Sequence, residues 1–329
     1  MDQETNLATI LDTVNLADSL DEEKLTEIGS LCKKEFEADL RSREEWERNI
    51  DNWTNLAKQT VEQKSFPWPK ASNVKYPLLS TAAMQFAARA YPSLIPSDGR
   101  VVKAKVIGKD LDGSKTPIAE AVSIYMSYQL MEEMDGWEED MDKLLIMLPI
   151  VGTVFKKTYW DSVSKKNCSR LVLPKNLVVD YWTKCLKTAA RISEILELNP
   201  RIVTERVRAG VWLDVELPSA TVEENTKNGT PVPVEQDDAT PYQFVEQHRY
   251  LDLDDDDYPE PYIVTFHRTT GKVVRIVANF DEDTVQFNED NELVKAEPVQ
   301  YYTKFGFVPN PDGSFYDIGF GVLLGSLIS

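Results

Sequence analysis

Histidine and cysteine are scarce in this chain, which has two of the first and three of the second among 329 residues. Cys32, Cys168 and Cys185 are scattered and form no Cys-x-x-Cys pair, so a disulfide framework or zinc ribbon is disfavoured and a reducing compartment is expected. His248 and His267 lie in segments that read as neighbouring strands and could be close in space. Neither has a partnered nucleophile, and the Gly-x-Ser-x-Gly elbow is absent, so acid–base or nucleophilic catalysis is hard to build. The phosphate-binding pattern GxxxxGK[ST] is missing too. Gly108-Lys109 and Gly271-Lys272 lack both the upstream glycine and the following hydroxyl residue. "GFGVLLG" from Gly319 has one residue too many for GxGxxG and no βαβ context.

Long apolar runs are also lacking. Leu144 to Val151 is interrupted by Pro149 and falls short of the roughly 20 residues a membrane helix needs. The start, "MDQETNLATI", has neither the basic region nor the apolar core of a signal peptide, so a soluble chain in the cytoplasm is expected. Positive charge is in deficit, with a formal net charge of −19, which disfavours a surface that grips phosphate backbones. The Lys-Lys pairs at Lys156 and Lys165, with Arg170 nearby, make a poor nucleic-acid footprint.

Hydrophobic residues make up 42% of the chain, enough for two or three domains with real cores. Leu25, Ile28, Cys32, Phe36, Leu40, Trp46, Ile50 and Trp53 recur at three- and four-residue spacing, which predicts one long amphipathic helix from Asp21 to about Gln63. Such a helix packs on its own domain or on a neighbouring subunit. After the Pro67-Trp68-Pro69 lead-in, an alanine-rich helix is predicted from Pro77 to Leu94, with Leu79, Ala82, Ala83, Phe86, Ala87 and Ala90 on its buried face. A strand is predicted over Val101–Ile107, then helices over Pro117–Met134 and Trp137–Val151. Beyond Gly152 the period changes to two, so Val154–Trp160, "SRLVLP" and "NLVVDY" read as strands. Ser193–Arg208 reads as mostly helical, with Pro200 near a boundary.

These readings give an α+β fold of long N-terminal helices, an alanine-rich central helix and short-stranded mixed sheets. The expected division is a helical arm over 1–63, an α+β core over 64–218, a surface linker over 219–241, an antiparallel β region over 242–310 and the start of a further helical segment over 311–329.

The acidic run "DLDDDDYPE" is the candidate metal site. Asp252, Asp254 and Asp256 have the spacing of the first three ligands of an EF-hand loop. Asp257 then stands where the sharp turn wants glycine, and Ile263 where the bidentate glutamate belongs. A solvated acidic hairpin loop is therefore the leading reading, with Ca²⁺ or Mg²⁺ held through carboxylates as the alternative. No other cofactor is expected, and the residue chemistry favours a structural or interaction protein over an enzyme.

The stretch "FPWPKASNVKYPLLSTAAMQFAARAYPSLI", Phe66 to Ile95, resembles the N-terminal region of portal proteins, the head-to-tail connectors of tailed bacteriophages. The likeness rests on Trp68-Pro69, Ser72-Asn73, Pro77-Leu78 and the alanine-rich helix bearing Phe86 and Tyr91. "LPIVGTVFKKTYWD", "LVLPKNLVVDY", the acidic hairpin around "DLDDDDYPE" and "FYDIGFGVLLGSLI" follow in the order that family shows, so the likeness covers most of the chain from about Glu62. Its motifs are structural, not catalytic.

The resemblance implies a ring, typically a dodecamer, at one capsid vertex of the virion, assembled in the host cytoplasm. Double-stranded DNA passes through such a ring without sequence specificity. The implied partners are further copies of the chain, the terminase large subunit, the capsid or scaffold protein and the head–tail adaptor, with no membrane. It also implies that this chain supplies the wing with its N-terminal arm and stops before most of the stem and clip. Trp46, Trp53, Phe66, Trp68, Phe86 and Tyr91 are the candidate subunit-interface residues. Two other readings are a metal-dependent hydrolase or nuclease that uses Asp252–Asp257, and a viral adaptor or scaffold-binding module.

Overall fold

A computed structural model describes residues 10–59, 68, 76–161, 165–219, 240–254, 257–287 and 293–328. The chain is a mixed α+β protein. Its elements run α1 (Glu22–Ser42), α2 (Glu44–Ala57), α3 (Leu78–Leu94), α4 (Lys115–Tyr128), α5 (Trp137–Val151), β1 (Thr153–Asp161), β2 (Lys166–Val172), β3 (Leu177–Val179) and β4 (Arg191–Leu198). They continue through α6 (Pro200–Arg208), β5 (Tyr242–Leu251), β6 (Glu260–His267), β7 (Val273–Ala278), β8 (Val285–Phe287), β9 (Leu293–Ala296), β10 (Tyr302–Gly306) and α7 (Phe320–Ile328). Two compact units emerge, and they interleave in sequence. One comprises Met1–Glu45 with Lys175–Gln300, the other Trp46–Pro174 with Tyr301–Ser329. This grouping differs from the consecutive segments expected above, because contacts between residues far apart in the chain define it.

The first unit is built on a five-stranded antiparallel sheet of order β3-β4-β5-β6-β7. Helix α1 starts at Asp21, whose carboxylate accepts the Lys24 N–H at 2.7 Å. Ile28, Cys32 and Phe36, one helical turn apart, are buried against Val245, Val264, Phe266 and Ile276 of the sheet. Phe36 meets Phe266 edge-on at 6.5 Å. On the opposite face, Phe244 and Val274 pack with Leu196, Val203 and Trp212. Adjacent residues of one strand, Phe244 and Val245, thus enter different cores, so the sheet is covered on both sides.

In the second unit a three-stranded sheet of order β10-β1-β2 lies with α2, α3, α5 and α7. Met141, Leu144, Leu145, Leu148 and Val151 of α5 form its core with Ile50, Ala87, Ile95 and Val154. The alanine-rich α3 buries Leu79, Ala83 and Ala87, as its small-residue face predicts.

Three expectations need correction. The single Asp21–Gln63 helix breaks at Arg43, which is buried and turns its guanidinium to the carbonyls of Lys175 and Leu177. Residues 60–63 lie outside the described residues. Val101–Ile107 forms no strand and joins no sheet. Its Val102 N–H is taken by Ser127 Oγ at 3.1 Å, and Ser123 donates to the Val102 carbonyl, so α4 side chains replace a strand partner. Ser193–Arg208 is not mostly helical. Up to Leu198 it is strand β4, paired with both β3 and β5, and helix begins only at Pro200, whose fixed φ suits a first turn. Among the described residues no helix is long and apolar enough to cross a membrane.

Candidate functional site

The acidic run closes the β5–β6 hairpin. Asp252 accepts the Asp257 N–H at 3.0 Å, and Asp257 has a φ of 68°, so it takes the left-handed turn that a glycine would make without strain. Asp254 is among the described residues, and Asp256 lies outside them. Among the described residues no group of three or more His, Cys, Asp or Glu is arranged to hold a metal ion.

The histidines occupy adjacent strands but are not neighbours. His267 stands opposite Phe244, four residues along β5 from His248, or about 13 Å at the usual rise per residue. His248 pairs with Glu246 at 3.1 Å, and His267 Nδ1 with Thr270 Oγ1 at 2.9 Å. Burial, then the nearby Lys33 and Lys272 ammonium groups, hold His267 below the ordinary histidine range. The unfolded chain therefore takes up this proton first. The neutral ring's contribution is complete above the ordinary value of 6.5 and is lost as pH falls below it. Between pH 7 and 5.5 the wild type should lose more stability than His267→Gln, measured by urea unfolding at both pH values.

The interface candidates separate into two groups. Trp46 stacks on Tyr316 with ring centroids 3.9 Å apart. Trp53 lies so close over Gly321 that a Cβ there would stand 2.3 Å from Trp53 Cγ. Phe86 meets Phe307 edge-on at 5.2 Å. The Tyr91 hydroxyl donates to the Glu138 carboxylate, which raises the Tyr91 pKa. These four side chains therefore contact their own unit. Trp68 is 65% exposed, and Phe66 lies outside the described residues.

Among the described residues, one helix exposes an apolar surface that local sequence does not single out. Helix α4 buries only Ser127. Ile118, Val122 and Tyr125 line one outward face, while Ile124 and Tyr128, also exposed, line another. Between Lys115 and Met131 only Lys115 and Glu120 are charged. A helix apolar on several sides is ordinarily buried, and that pattern was the available signal. In the same unit, α3 and α5 bound an open groove of about 560 Å³. Met84, Ala87, Ala88, Tyr91 and Ile146 line it, and Glu138, Glu139 and Asp142 stand at its edge. In the first unit, Tyr181 and Trp182 project from the β3–β4 connection, 68% and 84% exposed. These surfaces suit contact with another macromolecule.

The chain matches no protein-family model, and a comparison with curated proteins finds no significant match.

Proposed function

We propose that this chain is a structural subunit of a ring through which double-stranded DNA passes, in the manner of phage portal proteins. The observation that carries the reading is the outward apolar surface of α4, the kind of exposed patch that marks contact with another protein. The portal-like order of motifs from Phe66 to Ile328 supports it from the sequence side. A net charge of −19 suits a conduit, since a polyanion must pass without being held. A closed ring requires two different complementary faces on every copy. On this reading the chain works without bond-breaking chemistry, in the virion. Terminase, capsid or scaffold and tail adaptor dock on the ring. Negative-stain electron microscopy of the purified chain at micromolar concentration should show rings with a central hole. Monomers at every concentration tested would refute the reading.

A further inference from the structure

We infer that α4 of one copy seats in the α3–α5 groove of a second copy, head to tail. The inference rests on the ring reading for its choice of a second copy as occupant; the pairing of the two surfaces stands on their own chemistry.

The two surfaces are complementary in shape class and in charge. One is a protruding helix that presents Ile118, Val122 and Tyr125 to solvent. The other is concave, with a floor of Met84, Ala87, Ala88 and Ile146. The small side chains of Ala87 and Ala88 let a helix approach closely. Met84, 58% exposed, is unbranched and adapts to an incoming surface.

The segment that leads into α4, Arg100 to Lys115, carries Arg100, Lys103, Lys105, Lys109 and Lys115 against only Asp110 and Asp112. Arg100 pairs with Glu120 of α4 at 3.8 Å, and the lysines are exposed. A basic strip therefore flanks the apolar helix in a chain whose net charge is −19. The edge of the groove is acidic. Glu138 accepts from Tyr91, Asp142 stands beside it, and Glu139 is met by Lys143 at 3.9 Å. Lys143 also lies 3.7 Å from Asp140, so this cation is divided between Glu139 and an acid outside the groove, and the edge stays negative. Two copies of so acidic a chain repel each other in most orientations. The orientation that brings the basic strip to the acidic edge is selected by its charge. The two faces differ, so the contact is heterologous, the kind that repeats around a ring.

Mass photometry and sedimentation velocity on the full chain test this. Val122→Glu spoils the helix face and Ala88→Glu spoils the groove. Both positions are exposed, so the thermal midpoint should match the wild type. Each variant alone should weaken self-association at least about tenfold. Mixed, the two should form heterodimers and nothing larger, because a single intact helix–groove pair survives. Lys105→Glu with Lys109→Glu should also weaken association, and a partner carrying Glu139→Lys with Asp142→Lys should restore it.

Rings that persist in both apolar variants would overturn this interface and leave the ring reading standing. Open chains of copies that respond to both variants would uphold the interface and overturn the closed ring. Loss from the helix variant alone would place α4 against some other occupant and overturn the pairing. Monomers throughout would overturn both.

Discussion

Gly152→Ala should destabilise the second unit by about 3 kcal/mol or more, one of the two largest single-residue effects expected in this chain. Gly152 ends α5 with φ 88° and ψ −30°, a conformation L-residues rarely adopt. Its N–H donates to the Leu148 carbonyl at 2.8 Å, and its carbonyl accepts the Phe307 N–H at 2.9 Å. A Cβ built here would lie 2.2 Å from the Asp317 carbonyl oxygen, 2.6 Å from the Gly319 nitrogen and 2.7 Å from the Ile318 carbonyl carbon. All three are backbone atoms, so no side-chain rotation relieves the clash. The neighbouring segment is itself pinned, since the Asp317 N–H donates to Thr153 Oγ1 at 2.7 Å and its carboxylate pairs with Lys304 at 2.7 Å. The variant must therefore pull residues 317–319 away from the start of β1, and α7 begins at the next residue. Gly113 supplies the control. It has φ 70°, and a Cβ added there would meet nothing within 4 Å, so Gly113→Ala should cost only about 1 kcal/mol. Equal urea midpoints for the two variants would refute the packing argument.

The alanine-rich helix and the buried stripe of α1 were legible because a periodic pattern states which face is covered. Ile28, Cys32 and Phe36 recur every four residues, and Leu79, Ala83 and Ala87 do the same. The break at Arg43 was not legible. A charged residue in a helical pattern reads as solvated, and the carbonyls that draw Arg43 inward belong to Lys175 and Leu177, far along the chain. Val101–Ile107 has the composition of a strand, but serines of α4 take the Val102 N–H and carbonyl in place of a strand. β4 reads as helix because Ile192, Ile195 and Leu196 fit a helical stripe as well as a strand, and only pairing with β3 and β5 decides between them. The candidate surface divides in the same way. Local sequence places a helix near Pro117–Met134 and marks Trp46, Trp53, Phe86 and Tyr91 as anchors. Whether an anchor meets its own unit or solvent depends on residues such as Tyr316, Gly321 and Phe307, which local patterning cannot connect to it.

Asp39→Ala is expected to destabilise the first unit by about 3 kcal/mol, because opposite charges are sequestered there between helix and sheet. Arg191 of β4 and Arg249 of β5 are directly opposed in the register, an arrangement that repels unless countercharge is supplied. Helix α1 supplies it from one face. Asp39 takes Arg191 in a two-point grip, Nε to Oδ2 at 2.7 Å and Nη2 to Oδ1 at 2.8 Å. Glu35, one turn earlier, reaches Arg249 at 2.8 Å and Arg191 at 3.7 Å. Cys32, a further turn back, receives an Arg249 N–H at 3.3 Å, and burial pushes its thiol pKa up to about 11. The Asp39 side chain is 5% exposed and that of Arg191 24%. Removing the carboxylate therefore leaves two opposed guanidinium groups with Glu35 as the carboxylate that both reach. The exposed pair Arg201–Glu205, at 3.0 Å, is the contrast, and Glu205→Ala should cost no more than about 0.5 kcal/mol. A double-mutant cycle decides the matter. Asp39→Ala combined with Arg191→Ala should lose clearly less than the sum of the two single losses, because the second change removes the charge that the first had stranded. Additive losses in urea unfolding would mean that Asp39 acts by packing alone.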